Sequence, residues 1–138
     1  MKGAWQPLRG EMKICITSQG KSLDSQVDPR FGRCQYFIVV DTETSEFEAV
    51  QNPNGDAMGG VGVQSGQWVA RKSVQAVLTG HVGPNAFQTL QAAGIAVMTG
   101  ADGTVQEAVE KYKRNEFKPI DGPSVNSKFG VPGAKSSS

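Results

Sequence analysis

A single histidine, two cysteines and no long apolar run set the first limits on this 138-residue chain. With His81 as the sole imidazole, a Ser-His-Asp triad is possible only around that residue, and no nearby serine has the setting of an activated nucleophile. Cys15 and Cys34 do not form a close C-x-x-C pair, and two cysteines in a domain of this size are too few for a disulfide framework. Cys15, inside "KICIT", reads as a small buried thiol, while Cys34 in "RFGRCQYF" stands at a loop edge. No apolar stretch approaches the length needed to cross a bilayer, and "MKGAWQPLRGEM" lacks the continuous apolar core of a signal peptide, so a soluble, cytoplasmic protein without a membrane partner is expected. Fourteen basic and thirteen acidic residues leave a formal charge of +1, which gives no support to a nucleic-acid binder that neutralises many phosphates. Also missing are G-x-G-x-x-G, a P-loop, H-E-x-x-H, a Cys/His quartet with zinc spacing and a serine elbow.

What is present is glycine, seventeen residues of it, in clusters. Residues 1–11 carry no periodic pattern and are set aside as an N-terminal extension. From Asp121 to the end, "DGPSVNSKFGVPGAKSSS" has too few apolar residues to offset the entropy of ordering it, and a flexible tail is expected. Between them the chain is long enough for one domain, 12–120.

Within that domain "KICIT" (13–17), "YFIVVD" (36–41) and "EFEAV" (46–50) read as strands, the last with Phe47 and Ala49 on one face. The short polar link "TETSE" makes the second and third antiparallel neighbours. A helix over 62–72 brings its small positions Gly62, Ser65, Gly66 and Val69 close to the sheet. A fourth strand follows at 73–79, a second helix at 84–94 with Ala86, Leu90 and Ala93 on one face, and a fifth strand at 95–99. The last helix, 104–114, opens on the capping-box pair Thr104 and Glu107 and buries Val105, Ala108, Val109 and Tyr112. The order β-β-β-α-β-α-β-α implies an α/β fold, a mixed five-stranded sheet with one antiparallel strand and helices on its faces.

The connections then place the functional edge. If the first strand runs up and the second down, the hairpin lies at the bottom, and right-handed crossovers keep the later strands pointing up. The glycine-rich loops 18–35, 51–62, 79–84 and 99–103 therefore meet at the top, the carboxyl end of the upward strands, where open α/β sheets take their ligands. In "TGHVGPNA" the glycines Gly80 and Gly83 allow backbone conformations and close approaches that a side chain would prevent. Pro84 starts a helix whose first N–H groups suit an anion, and His81 supplies a nitrogen that can coordinate metal or carry a proton. "DPRFGRC" adds Arg30, Arg33 and Cys34, and "GDAMGG" adds Met58. A thiol, a thioether, an imidazole and two guanidiniums suit a negatively charged soft-metal sulfide. Phe31 and Trp68 read as packing residues. Two other readings stay open: a phosphoryl or nucleic-acid enzyme using Asp28, Asp56 and Asp102 with magnesium, against which the first strand carries no carboxylate, and a regulatory domain that meets a partner protein through the loop edge.

Taken together, "MKICIT", "VDPRFGRCQYFIVVD", "NPNGDAMGGVGVQSGQWVA", "VLTGHVGPNAFQTLQAAGI" and "GADGTVQEAVEKY" resemble the dinitrogenase iron-molybdenum cofactor family. That prokaryotic family includes carriers of the nitrogenase cofactor and its precursors, and the small orange proteins that hold a molybdenum-copper sulfide cluster. The resemblance, covering about Met12 to Lys118, implies a ribonuclease-H-like three-layer fold and non-catalytic binding, storage or delivery of a metal-sulfur cluster, of molybdenum-copper or iron-molybdenum type. A cluster-donating or cluster-accepting protein would be the macromolecular partner, with no role for nucleic acid. The positions that match the family pattern are Phe31, Gly32, Gly59, Gly60, Gly80, Gly83, Pro84 and Asn85. Arg30, Arg33 and Met58 line the same edge, and His81 and Cys34 are the candidate metal ligands.

Overall fold

The computed structural model describes residues 13–52 and 61–123, without the side chains of 61–63. The expected N-terminal extension, the residues of the expected tail from 124 onward, and Asp56, Met58, Gly59 and Gly60 lie outside the described residues. Eight elements follow in the order β1 (Lys13–Ser18), β2 (Tyr36–Asp41), β3 (Phe47–Gln51), α1 (Val61–Ala70), β4 (Ala76–Leu78), α2 (Pro84–Ala92), β5 (Ala96–Met98) and α3 (Val105–Lys113). They form one five-stranded sheet ordered β3-β2-β1-β4-β5. β2 is antiparallel to both β1 and β3, whereas β4 runs parallel to β1 and to β5.

Three layers result from the alternation of side chains along the strands. Ile14 and Ile16 of β1, Ile38 and Val40 of β2, and Leu78 of β4 face α3 and bury its Val105, Ala108 and Val109. Cys15, Phe37, Val39, Val77 and Val97 point the other way, against Val69 of α1 and Ala86, Phe87 and Leu90 of α2. A central strand covered on both faces has no side to show to water, which is why every residue of β1 from Ile14 to Ser18 is buried. Removing a side chain such as Leu90 wholly from water is worth about 2 kcal/mol. No helix among the described residues is long and apolar enough to cross a membrane.

Several local expectations need correction. β4 and β5 have three residues each, because Ser73, at φ 60°, still belongs to the turn that ends α1 and Ile95 is tied back to the carbonyl of Leu90. Ala93 is the C-cap of α2 and is exposed, so the buried face of that helix is Ala86, Phe87 and Leu90. Phe47, at the outer end of edge strand β3, is 43% exposed. Gly66 meets a helix and not the sheet: a Cβ there would stand 2.9 Å from Thr89 Cγ2. That close approach sets α1 and α2 side by side, both running away from the same edge of the sheet.

Candidate functional site at the glycine-rich rim

β1, β4 and β5 all end at one rim, and the long segment after β1 is stitched across it. Ser18 bridges Val27, Gln26 bridges Thr104, and Arg30 bridges His81. The Val27 N–H donates to Gly103 O at 2.8 Å and the Asp28 N–H to Thr17 O at 2.9 Å. Beneath them the Thr17 hydroxyl donates to Asp28 O at 2.6 Å and lies 2.9 Å from the Thr79 hydroxyl, joining the ends of β1 and β4 inside the protein. The expected convergence of loops 18–35, 79–84 and 99–103 is therefore present. The loop from 53 to 60 lies outside the described residues, but its neighbour Asn52 is at this rim, bonded to Gln35 O at 2.9 Å.

The pairing between "DPRF" and "GHV" builds the centre. The His81 N–H donates to Pro29 O at 2.8 Å and the Phe31 N–H to His81 O at 3.3 Å. Bridge partners in parallel register carry their side chains to the same side, so Arg30 and His81, both exposed, stand next to one another. Gly80 is what lets the two segments touch: a Cβ there would lie 2.7 Å from Pro29 Cα and 2.9 Å from Pro29 O. Gly83 is different from what its spacing suggested. Its φ of −86° suits any residue and a Cβ would meet nothing within 4 Å, so it leaves open space at the start of α2 instead of relieving a clash.

That open start is electrostatically distinct. Gly83 offers no side-chain cap and Pro84 has no N–H, while the first intrahelical bond runs from the Phe87 N–H to Gly83 O at 3.0 Å. The amides of Asn85 and Ala86 thus have no acceptor within the helix, at its positive end. The start of α3 is closed: the Val105 and Gln106 amides go to Ser25 O and Leu23 O, and the Glu107 amide goes to Thr104 Oγ1 at 3.1 Å.

The remaining candidates divide. Arg33 is exposed, and Arg30 is half exposed with its Nε 3.5 Å from a buried Asp28 carboxylate that also accepts from the Arg30 amide at 3.0 Å. Phe31 packs on Phe37, which stacks on Trp68, as expected of packing residues. Gly32 has φ 94° and turns the chain between the two arginines. Cys34 corrects the expectation of a thiol at the loop edge: it is fully buried in the cluster with Phe31 and Phe37. Burial, then the nearby Asp28 charge, pushes its thiol up to about 12, so in the metal-free protein it is a packed S–H at neutral pH. Among the described residues no three His, Cys, Asp or Glu side chains are grouped to hold a bare metal ion. Asp28 is turned to Arg30, and Asp102 is exposed 4.0 Å from Lys111, so nothing among the described residues favours the magnesium reading. Sequence reasoning missed Asn52, whose buried amide Nδ2 donates to Gly32 O at 3.1 Å and Cys34 O at 3.0 Å. Its signal was the asparagine-proline step at the end of β3.

The family profile described as dinitrogenase iron-molybdenum cofactor matches residues 12–115, which includes every described element of the rim. The chain belongs to this family. Among solved structures, the apo form of the orange protein from Desulfovibrio gigas is similar to this family member with a TM-score of 0.80 and 39% identity, covering 84% of this chain and 98% of that one. A Thermotoga protein described as belonging to the DUF35 family matches with a TM-score of 0.68 and 40% identity, over 78% of this chain and 91% of its own. An uncharacterized protein of Methanocaldococcus jannaschii is 26% identical over 101 residues, 71% of this chain and 86% of the relative.

Proposed function

We propose that this protein binds an anionic metal-sulfur cluster at the glycine-rich rim and stores or delivers it without catalysing a reaction. The observation that carries this reading is the start of α2, left uncapped beside Arg30 and His81 by the pairing of 28–31 with 80–82. Membership in a family named for a metal cofactor supports it. The donor chemistry present fits such a cargo: backbone N–H groups and guanidiniums suit the negative sulfide surface, and the His81 imidazole is a ligand that soft and borderline metals accept. His81 is the proposed direct ligand. Arg30 and Arg33 supply charge, Gly80 brings the segments together, and Gly83, Pro84 and Asn85 present the helix start. Gly32 turns the arginine segment and Phe31 anchors it, and Met58, Gly59 and Gly60, which lie outside the described residues, are proposed as further cluster-binding positions. Cys34 serves packing.

The likeness to the orange protein favours a molybdenum-copper sulfide over an iron-molybdenum type, and a ribonuclease-H-like layering for the fold. A cytoplasmic protein that donates or accepts the cluster is the partner this role calls for.

Anaerobic reconstitution with tetrathiomolybdate and copper(I), followed by gel filtration, visible absorbance and elemental analysis, tests the proposal. Coloured protein with a fixed sulfide-to-metal ratio is expected, with lower yield for His81→Ala and Arg33→Ala. Absence of uptake by the wild-type protein, from these reagents and from iron-sulfur precursors alike, would overturn it.

A further inference from the structure

We propose that Asn52 is a positioning residue for cluster binding: its side chain locks the arginine-bearing turn of residues 30–34 to the end of β3 and holds that turn in its binding geometry. The inference rests on the proposed function and adds to it a residue on which the site depends without itself facing the cargo.

The β2–β3 ladder runs from Val40↔Phe47 to Tyr36↔Gln51 and is extended one step by the Asn52 N–H, which donates to Gln35 O at 2.9 Å. Asn52 is the last described residue of this segment, and its side chain adds a second attachment to the same stretch of chain. Its Nδ2 donates to Cys34 O at 3.0 Å and to Gly32 O at 3.1 Å, using both hydrogens of one amide to satisfy two main-chain carbonyls. The residue is buried, at 6% exposure, so water does not replace these bonds if the amide is lost.

The turn it grips needs holding. Gly32 is in the left-handed region at φ 94°, and among the described residues the turn is closed by a long backbone bond, the Arg33 N–H to Arg30 O at 3.3 Å. The upstream side is anchored by the Asp28 carboxylate on the Arg30 amide at 3.0 Å and by the pairing with His81. The Gly32 and Cys34 carbonyls flank Arg33, and the bonds from Asn52 secure them. Asn52 thus couples the turn to the end of β3.

The test uses the whole chain and two substitutions, N52A and N52D, the second nearly isosteric with the amide but unable to donate both hydrogens. In the cargo-free protein, hydrogen exchange at the Phe31 and Arg33 amides is expected to accelerate in N52A while β1 and α3 amides keep wild-type protection. In titrations with tetrathiomolybdate and copper(I), N52A is expected to bind about tenfold more weakly while far-UV circular dichroism is unchanged. If Asn52 acts through the turn, adding R33A to N52A costs less than the sum of the two single losses, whereas independent roles give an additive loss. Wild-type affinity in N52A, or strict additivity with R33A, overturns the assignment even if N52D fails to fold. A wild-type protein that takes up no cluster overturns the proposed function itself, a result distinct from a variant that matches a binding wild type.

Discussion

α2 and α3 both begin at the same rim, each directly downstream of a parallel strand, yet their starts are built in opposite ways. At α3 the first amides are consumed: Ser25 O, Leu23 O and the Thr104 hydroxyl accept them, and the Glu107 carboxylate returns to the Thr104 N–H at 2.9 Å. At α2 the cap is a glycine without a side-chain bond, followed by proline, and the amides of Asn85 and Ala86 face away from any acceptor in their own helix. Folding stability favours the first arrangement, since each missing cap costs about 1 kcal/mol. A start left uncapped, beside a guanidinium and an imidazole, is what an anionic guest can use. On the proposed function, the difference separates a helix start that serves the fold from one open to the cargo.

Three substitutions sharpen or break that comparison. The largest effect is expected at Gly80, where Gly80→Ala sets a Cβ 2.7 Å from the Pro29 main chain and forces the two rim segments apart. A loss of about 3 kcal/mol in urea unfolding is expected, together with loss of cluster uptake. A variant as stable as wild type would show that the segments part easily and that the rim is not held as described. Next is Thr104→Ala, which removes the α3 cap and should lower stability by about 1 kcal/mol while leaving uptake unchanged. Loss of uptake there would mean that both helix starts serve the cargo, and the distinction would fail. The smallest stability change is expected from Gly83→Ser, which has room for its side chain and supplies the missing cap. Stability should rise by about 0.3 kcal/mol while uptake falls, as the new hydroxyl competes for the α2 amides. Equal or better uptake in this variant would show that those amides do not hold the cluster.

Much of the fold was legible because its signals are local. β2 was bounded correctly at Tyr36–Asp41 by an apolar run between polar links, and α3 by a capping box and a sharp apolar stripe. The stretches that misled are those where a neighbour overrides the local pattern. Gly66 looked like a residue placed for the sheet, but the constraint on it is Thr89 of another helix. Cys34 looked like an edge residue because "RFGR" reads as a loop, yet the turn folds inward and the thiol joins the core. Gly83 and Gly80 are alike in sequence, and only coordinates tell the one that avoids a clash from the one that leaves space.

From its amino acids alone this chain determined an α/β sheet of mixed direction, the meeting of loops 18–35, 79–84 and 99–103 at the carboxyl ends of the parallel strands, and membership in a cofactor family. The first two follow from periodicity and connection handedness, which act over a few residues or through chain direction, and the third from the resemblance of its motifs taken together. Which side chains face the rim, which are sealed beneath it and which amides remain available were decided by the tertiary structure. Those properties depend on partners far away in sequence, such as Asn52 against Gly32 or Pro29 against Gly80, and contacts of that kind exist only once the layers have packed.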